Sequence, residues 1–236
     1  MDIVKPIKEI FKAYDIRGKF PDEINRDVAY TIGKAYGTKL LSIGKNKCIV
    51  GYDNRESSIE LSLSLSLGIL STGVDVINLG LVTTPMAIYS KEVLKIPSYV
   101  MVTASHNPKD DNGFKFSFDE SGNVKGDDID KFYDLVISGN FKEGMGKFSR
   151  YNVEKDYLEL FRRGINLRDK KLKVVIDLAN GTTSCIAREL FQQFDIDLTI
   201  INEESDSSFP NHHPDPCVAA NQKQLQDKVL ELHADL

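Results

Sequence analysis

The sequence predicts a mixed α/β protein: a largely parallel sheet sandwiched by helices, followed by an incomplete second α/β domain of similar type. Two observations carry this prediction. Between residues 47 and 104, short apolar runs rich in β-branched residues alternate with longer runs of helical spacing. That order, strand–helix–strand–helix–strand, is the pattern of a parallel core joined by crossover helices. The alternation stops at a polar, glycine-bearing stretch, "NFKEGMGKFSR" (140–150), and restarts at residue 171. The expected domains are therefore residues 1–145 and 151–236.

Each element has its own signal. "KCIVGYDN" (47–54) is an apolar run closed by Asp-Asn, a strand leading into a loop. "SSIELSLSLSLGILSTG" (57–73) fits two periods. Leu61, Leu63, Leu65 and Leu67 alternate with serine, as in a strand. Ile59, Leu63, Leu67 and Leu70 follow a helical repeat, Ser57 or Ser58 supplies a cap, and Gly73 a stop, so a helix is expected. "VDVINLG" (74–80) is a strand, "TTPMAIYSKEVL" (83–94) a capped helix with proline in its first turn, and "SYVMVTA" (98–104) a strand. "NGFKFSFDESGNV" (112–124) is a strand and a turn, and "GDDIDKFYDLVISG" (126–139) a helix with an acidic first turn.

"VEKDYLELFRRGI" (153–165) is an amphipathic linker helix. Residues 171–201 then read strand, Asn-Gly loop, helix, strand, with Thr182 or Thr183 as the helix N-cap. The loop "FPNHHPDP" (209–216) precedes a helix from about Asn221 to His233. The chain stops where the alternation calls for another strand, so the second domain reads as cut short. A two-stranded unit is marginal alone, and an open edge there predicts self-association.

Composition excludes several classes. A net charge of −5 carries no basic footprint for nucleic acid. Cys48, Cys185 and Cys217 have no metal or disulfide spacing. The N-terminus has no apolar signal core, and the most apolar stretch, residues 61–82, holds Asp75, Asn78 and three glycines. A cytoplasmic protein with no membrane partner is expected.

The chemistry concentrates in "MVTASHNPKDDNGFKFS" (101–117). A strand ends on Thr-Ala, and Ser105, His106, Asn107 and Pro108 follow, with Lys115 in the next strand. A hydrolase elbow needs Gly-x-Ser-x-Gly, which is absent. Read locally, this is either a strand-to-loop turn stiffened by Pro108 or a hydroxyl beside two cationic groups. The second arrangement suits phosphoryl transfer, which needs positioning and charge neutralisation more than a strong base. His212 and His213 are adjacent on a Pro-rich loop without partner ligands, and a structural loop is expected there rather than a metal site.

"TASHNP" (103–108) with "NGFK" (112–115) resembles the phosphoserine loop of the α-D-phosphohexomutases, the phosphomannomutase/phosphoglucomutase family. "FKAYDIRG" (11–18), "GLVTTP" (80–85) and "FPNHHPDP" resemble three further motifs of that family, in the same order. Tyr-Asp-Ile in the first of these points to the phosphomannomutase/phosphoglucomutase branch. "GYDNRESS" (51–58) departs from the family's Gly-Arg-Asp, with Tyr52 where arginine is expected, which leaves Arg55.

The resemblance implies specific roles. Ser105 would carry a phosphoryl group to and from a hexose phosphate through a hexose 1,6-bisphosphate, and its phosphate would ligate Mg²⁺. His106 and Lys115 would transfer protons or stabilise charge, and Tyr14 and Arg17 would bind substrate. The family's remaining metal ligands lie in an Asp-rich loop, expected past Leu236 along with the domains that read the sugar. The alternative is a non-catalytic module that binds phosphosugars or a partner.

Overall fold

The computed structural model describes residues 1–167 and 171–236. They pack as two units: Met1–Ser105 with Asp110–Asn152, and His106–Lys109 with Val153–Leu236.

The first unit is a six-stranded mixed sheet with flanking helices. Its strands are β1 (Ile16–Lys19), β2 (Lys47–Tyr52), β3 (Asp75–Leu81), β4 (Tyr99–Val102), β5 (Asp111–Ser117) and β6 (Phe148–Arg150). The spatial order is β1-β5-β4-β2-β3-β6. β4, β2, β3 and β6 are parallel, while β5 runs antiparallel to both β4 and β1. The helices are α1 (Arg26–Ser42), α2 (Ser58–Leu70), α3 (Thr84–Leu94) and α4 (Asp127–Ser138). Thr83 caps α3, accepting from the Met86 amide, with proline in the first turn as the sequence requires. β6 keeps the chain with the first sheet as far as Arg150, pairing with β3 from Val76↔Phe148 to Asn78↔Arg150.

Helix α1 has no clear signal in the sequence, because it lacks a clean apolar stripe. Its buried positions include Thr31, Gly33, Lys34, Gly37 and Thr38 alongside Val28, Ile32, Tyr36 and Leu40. The reason is close packing against α2. A Cβ on Gly33 would lie 2.2 Å from the Leu65 carbonyl, and one on Gly68 would lie 2.2 Å from the Tyr30 carbonyl. Two backbones that close leave room only for small side chains.

This packing also resolves the serine–leucine run. It is a helix, but the stripe that matched the helical repeat faces outward: Ile59, Leu63 and Leu67 are 50–54% exposed. Ser58, Ser62 and Ser66 are buried with Leu61, Leu65 and Ile69. Serines fill the tight side because leucines would not fit it. Ser57 holds the N-cap position without a capping bond; its hydroxyl instead accepts from Asn112 Nδ2.

The second unit contains α5 (Glu154–Gly164), β7 (Leu172–Asp177), α6 (Ala187–Phe191), β8 (Ile196–Ile201) and α7 (Lys223–Leu232). β7 and β8 pair in parallel from Leu172↔Ile196 to Asp177↔Ile201. On β7 the Val175 amide donates to the Leu236 carbonyl, and the Asp235 amide donates to the Lys173 carbonyl. The expected helix after the Asn-Gly loop is broken into a 3₁₀ turn, Thr182–Cys185, and the short α6. The N-cap positions are Gly181 and Ile186, neither with a side-chain capping bond, so neither threonine is the cap. Ala179 and Asn180 hold left-handed backbone here, which tightens the loop and shortens the helix.

Candidate functional site

The loop that carries Ser105 connects β4 to β5, at the carboxyl end of β4. The chain leaves β2 toward β3 on one side and leaves β4 toward β5 on the other. Adjacent strands whose connections diverge open a crevice at their carboxyl ends, the usual ligand position of open α/β sheets. Ser105 follows β4 and Arg55 follows β2, so both belong to that crevice.

Ser105 is exposed, and its φ is 59°, in the left-handed region. That conformation is costly for a non-glycine residue and persists where the surroundings fix it. Here both backbone polar groups are held. The Ser105 amide donates to Thr103 Oγ1 at 2.8 Å, and its carbonyl accepts from Arg55 Nη2 at 2.9 Å.

Arg17 and Lys115 are brought together by a third residue. Arg17 sits on β1 opposite Gly113 of β5, and Lys115 lies two residues further along β5. Asp15 Oδ2 accepts from Arg17 Nη2 at 2.5 Å and from Lys115 Nζ at 2.7 Å. The Asp15 side chain is 6% exposed and those of its two partners about a fifth exposed. Burial pushes the Asp15 pKa up, but the bonds from Lys115 and Arg17 outweigh it and hold the carboxyl below its ordinary value. One buried anion thus fixes two partly exposed cations. The cluster keeps an excess positive charge, which suits a phosphate group. The Thr103 amide donates to the Gly113 carbonyl, so the Ser105 loop starts level with the Arg17–Gly113 pair.

The other residues singled out by sequence are placed differently. Tyr14 is 69% exposed and lines a shallow surface depression with Ala13, Lys125 and Gly126. His106 is exposed, and its segment, His106–Lys109, groups with the second unit. In the second unit His212 Nε2 lies 2.9 Å from Asp177 Oδ2, and its Nδ1 lies 2.9 Å from the His213 carbonyl oxygen. Both neighbours are acceptors, so this geometry favours the doubly protonated ring. Among the described residues, no group of three His, Cys, Asp or Glu side chains is placed to hold a metal ion. Also among the described residues, no helix is long and apolar enough to cross a membrane.

The sequence alone does not single out Asp15 or Asp53, and it offers Arg55 only as the arginine that remains where Tyr52 replaces the family's own. Asp15 stands inside "FKAYDIRG", where the tyrosine and arginine drew attention. The signal for the other two was Asp-x-Arg directly after a strand, at the end of the sheet where ligands bind.

Comparison with known proteins identifies the family. The profile of phosphoglucomutase/phosphomannomutase α/β/α domain I matches residues 8–143, and that of domain II matches residues 155–236. The chain belongs to the phosphoglucomutase/phosphomannomutase family. It is 37% identical over 227 residues to a phosphomannomutase/phosphoglucomutase of Pseudomonas syringae pv. tomato, covering 96% of this chain and 48% of that one. It is 33% identical to a phosphoglucomutase of Neisseria meningitidis serogroup B, covering 95% and 48%. Among solved structures, a phosphoglucomutase/phosphomannomutase family protein from Burkholderia thailandensis superposes with a TM-score of 0.92 at 34% identity, over 97% of this chain and 51% of that one. The chain spans about half the length of the curated relatives it matches.

Proposed function

We propose that this chain is the phosphoryl-carrying part of a phosphohexomutase, an intramolecular phosphotransferase that interconverts hexose 1-phosphate and hexose 6-phosphate. The observation that carries the reading is Ser105: an exposed residue on a backbone held at φ 59° from both sides, at the crevice of the sheet, in a loop that follows β4 and leads into β5, the strand that carries Lys115.

In this reading Ser105 starts as a phosphoserine. A sugar hydroxyl attacks phosphorus, the new P–O bond to the sugar forms, and the P–Oγ bond breaks. The sugar hydroxyl loses its proton to a base, and Oγ gains one from an acid. Lys115 and His106 are the candidates for these transfers, and Arg17 and Tyr14 for holding the phosphosugar. The resulting hexose 1,6-bisphosphate turns over and returns its other phosphoryl group to Ser105. Arg17 and Lys115 neutralise charge on the transferring group, the main demand of phosphoryl transfer.

Mg²⁺ is part of the family's chemistry. Among the described residues no complete site for it is present. Asp15 is taken by Arg17 and Lys115, and Asp53 by Arg55 and Ser58. The only ligand assigned within the chain is a phosphate on Ser105. The cytoplasmic, nucleic-acid-free setting expected from composition belongs to the same proposal.

The test is intact mass and peptide mapping of the protein isolated from cells. One phosphate on Ser105, absent from Ser105→Ala, is expected. A phosphate mapped elsewhere, or none on Ser105, overturns the reading.

A further inference from the structure

We infer that Arg55 is the positioning residue of the Ser105 loop. Its guanidinium clasps both ends of the loop and fixes the direction of the Ser105 hydroxyl. The inference rests on the proposed role of Ser105 and goes beyond it, because it concerns how that hydroxyl is aimed.

The geometry is that of a two-pronged clamp. Arg55 Nη2 donates to the Ser105 carbonyl at 2.9 Å, and Nη1 donates to the Asp111 carbonyl at 3.0 Å. Ser105 is where the loop begins and Asp111 is where β5 begins. One planar group therefore ties the two ends together. Lysine has no such fork, because its donors radiate from a single nitrogen.

The clamp is itself anchored. The Arg55 side chain is 1% exposed and forms an ion pair with Asp53, Nε to Oδ2 at 3.3 Å. Asp53 Oδ1 accepts from the Arg55 amide and from the Ser58 hydroxyl. Asn112, fully buried, donates to the Ser57 and Ser58 hydroxyls at 2.8 and 2.9 Å. The network thus runs from the end of β2 through the start of α2 to the start of β5. A guanidinium held this firmly can sustain an unfavourable φ at Ser105. With the Thr103 hydroxyl on the amide and Arg55 on the carbonyl, the flanking peptide groups cannot rotate and Cβ has one direction.

The experiment uses the 236-residue chain, isotopically labelled, and Arg55→Lys. This variant keeps a cation and an alkyl stem beside Asp53 but loses the fork. The three-bond HN–Hα coupling of Ser105, read together with the intraresidue HN–Hα NOE that a positive φ makes strong, reports φ. In the variant it is expected to leave the left-handed value, and exchange of the Ser105 amide to rise at least about tenfold, the scale of one charge-assisted hydrogen bond. The Val100 and Phe116 amides, inside β4 and β5, should keep their protection, which separates a lost clamp from general destabilisation. Unchanged coupling and exchange in a folded Arg55→Lys chain overturn the inference.

Where that variant does not fold, the wild-type chain still decides. A clamped guanidinium gives resolved Nη1 and Nη2 resonances, whereas a single averaged Nη resonance for Arg55 refutes the clamp. Neither readout requires phosphate on Ser105. Failure of the clamp and failure of the mutase reading are therefore separable.

Discussion

Asp15 and Lys115, a hundred residues apart in the chain, meet in a 2.7 Å contact between Asp15 Oδ2 and Lys115 Nζ. The same oxygen takes the Arg17 guanidinium. The contact exists because β1 and β5 pair antiparallel at one edge of the sheet, with Arg17 opposite Gly113. A residue two before Arg17 and a residue two after Gly113 then come level with each other.

Asp15→Asn should destabilise the first unit by about 1–3 kcal/mol, the scale of losing hydrogen bonds to charged partners with partial solvent compensation. The pH dependence follows from the depressed carboxyl pKa. A depressed folded pKa means stability that is present above the unfolded value, near 3.8, and lost as pH falls through the folded value. Thermal unfolding of wild type from pH 7 to pH 3 should show this loss, and Asp15→Asn should remove that component. A variant whose acid profile matches wild type would show that the shared carboxylate contributes nothing.

Much of this arrangement was legible in the sequence. Strands β2, β3 and β4 and helix α3 follow their apolar periods and caps directly, and the Ser105 loop stands out as a polar break between strands. The less legible parts share a physical cause, which is dependence on partners distant in the chain. Helix α1 hides because its buried face is chosen to fit α2. Asp15 hides because a lone aspartate beside Tyr14 has no meaning until β5 supplies Lys115. In the same way Arg55 reads as a loop arginine until the Ser105 and Asp111 carbonyls arrive from β4 and β5.

The α1–α2 contact gives a second prediction. Alanine exceeds glycine in helix propensity by about 1 kcal/mol, so Gly68→Ala on propensity alone would stabilise α2. The added Cβ would instead meet the Tyr30 carbonyl at 2.2 Å and the Lys34 amide nitrogen at 3.0 Å, both backbone. Backbone cannot swing aside as a side chain can, so overpacking should win and cost about 1–3 kcal/mol. Differential scanning calorimetry should show a lower Tm, by roughly 2–4 °C per kcal/mol. A Tm at or above wild type would mean the helices separate freely.

His212 offers a third prediction, in the second unit. Burial pulls its pKa down, but the bonds to the His213 carbonyl and the Asp177 carboxylate outweigh burial and raise it. A raised folded pKa gives stability that is fully present below the unfolded value, near 6.5, and lost as pH rises through the folded value. An NMR titration should place the His212 midpoint above 6.5, and Asp177→Asn should lower it. A midpoint below 6.5 in wild type would show that burial dominates instead.

The last prediction concerns the chain assayed alone. Purified, with glucose 1-phosphate, Mg²⁺ and glucose 1,6-bisphosphate, it should show no mutase turnover. Two of its own carboxylates are committed, Asp15 to two cations and Asp53 to Arg55 and Ser58, and among the described residues no group of three His, Cys, Asp or Glu side chains is placed to hold a metal ion. A divalent ion would therefore be held weakly, and the several kcal/mol of charge stabilisation such an ion gives the transferring phosphoryl group would be small. The matched family profiles are domains I and II, while the relatives are about twice as long. The contacts that align a sugar hydroxyl with phosphorus are expected from that remaining length, and alignment contributes about 7–11 kcal/mol. At about tenfold in rate per 1.36 kcal/mol, losing this alignment costs about 5–8 decades in rate, which together with the weak ion removes measurable turnover. The Asp15–Arg17–Lys115 cluster would still bind phosphosugar weakly, which isothermal titration should detect and Arg17→Ala should abolish. Turnover at an ordinary enzymatic rate, with host mutase excluded, would show that these two domains suffice and that the positioning argument fails.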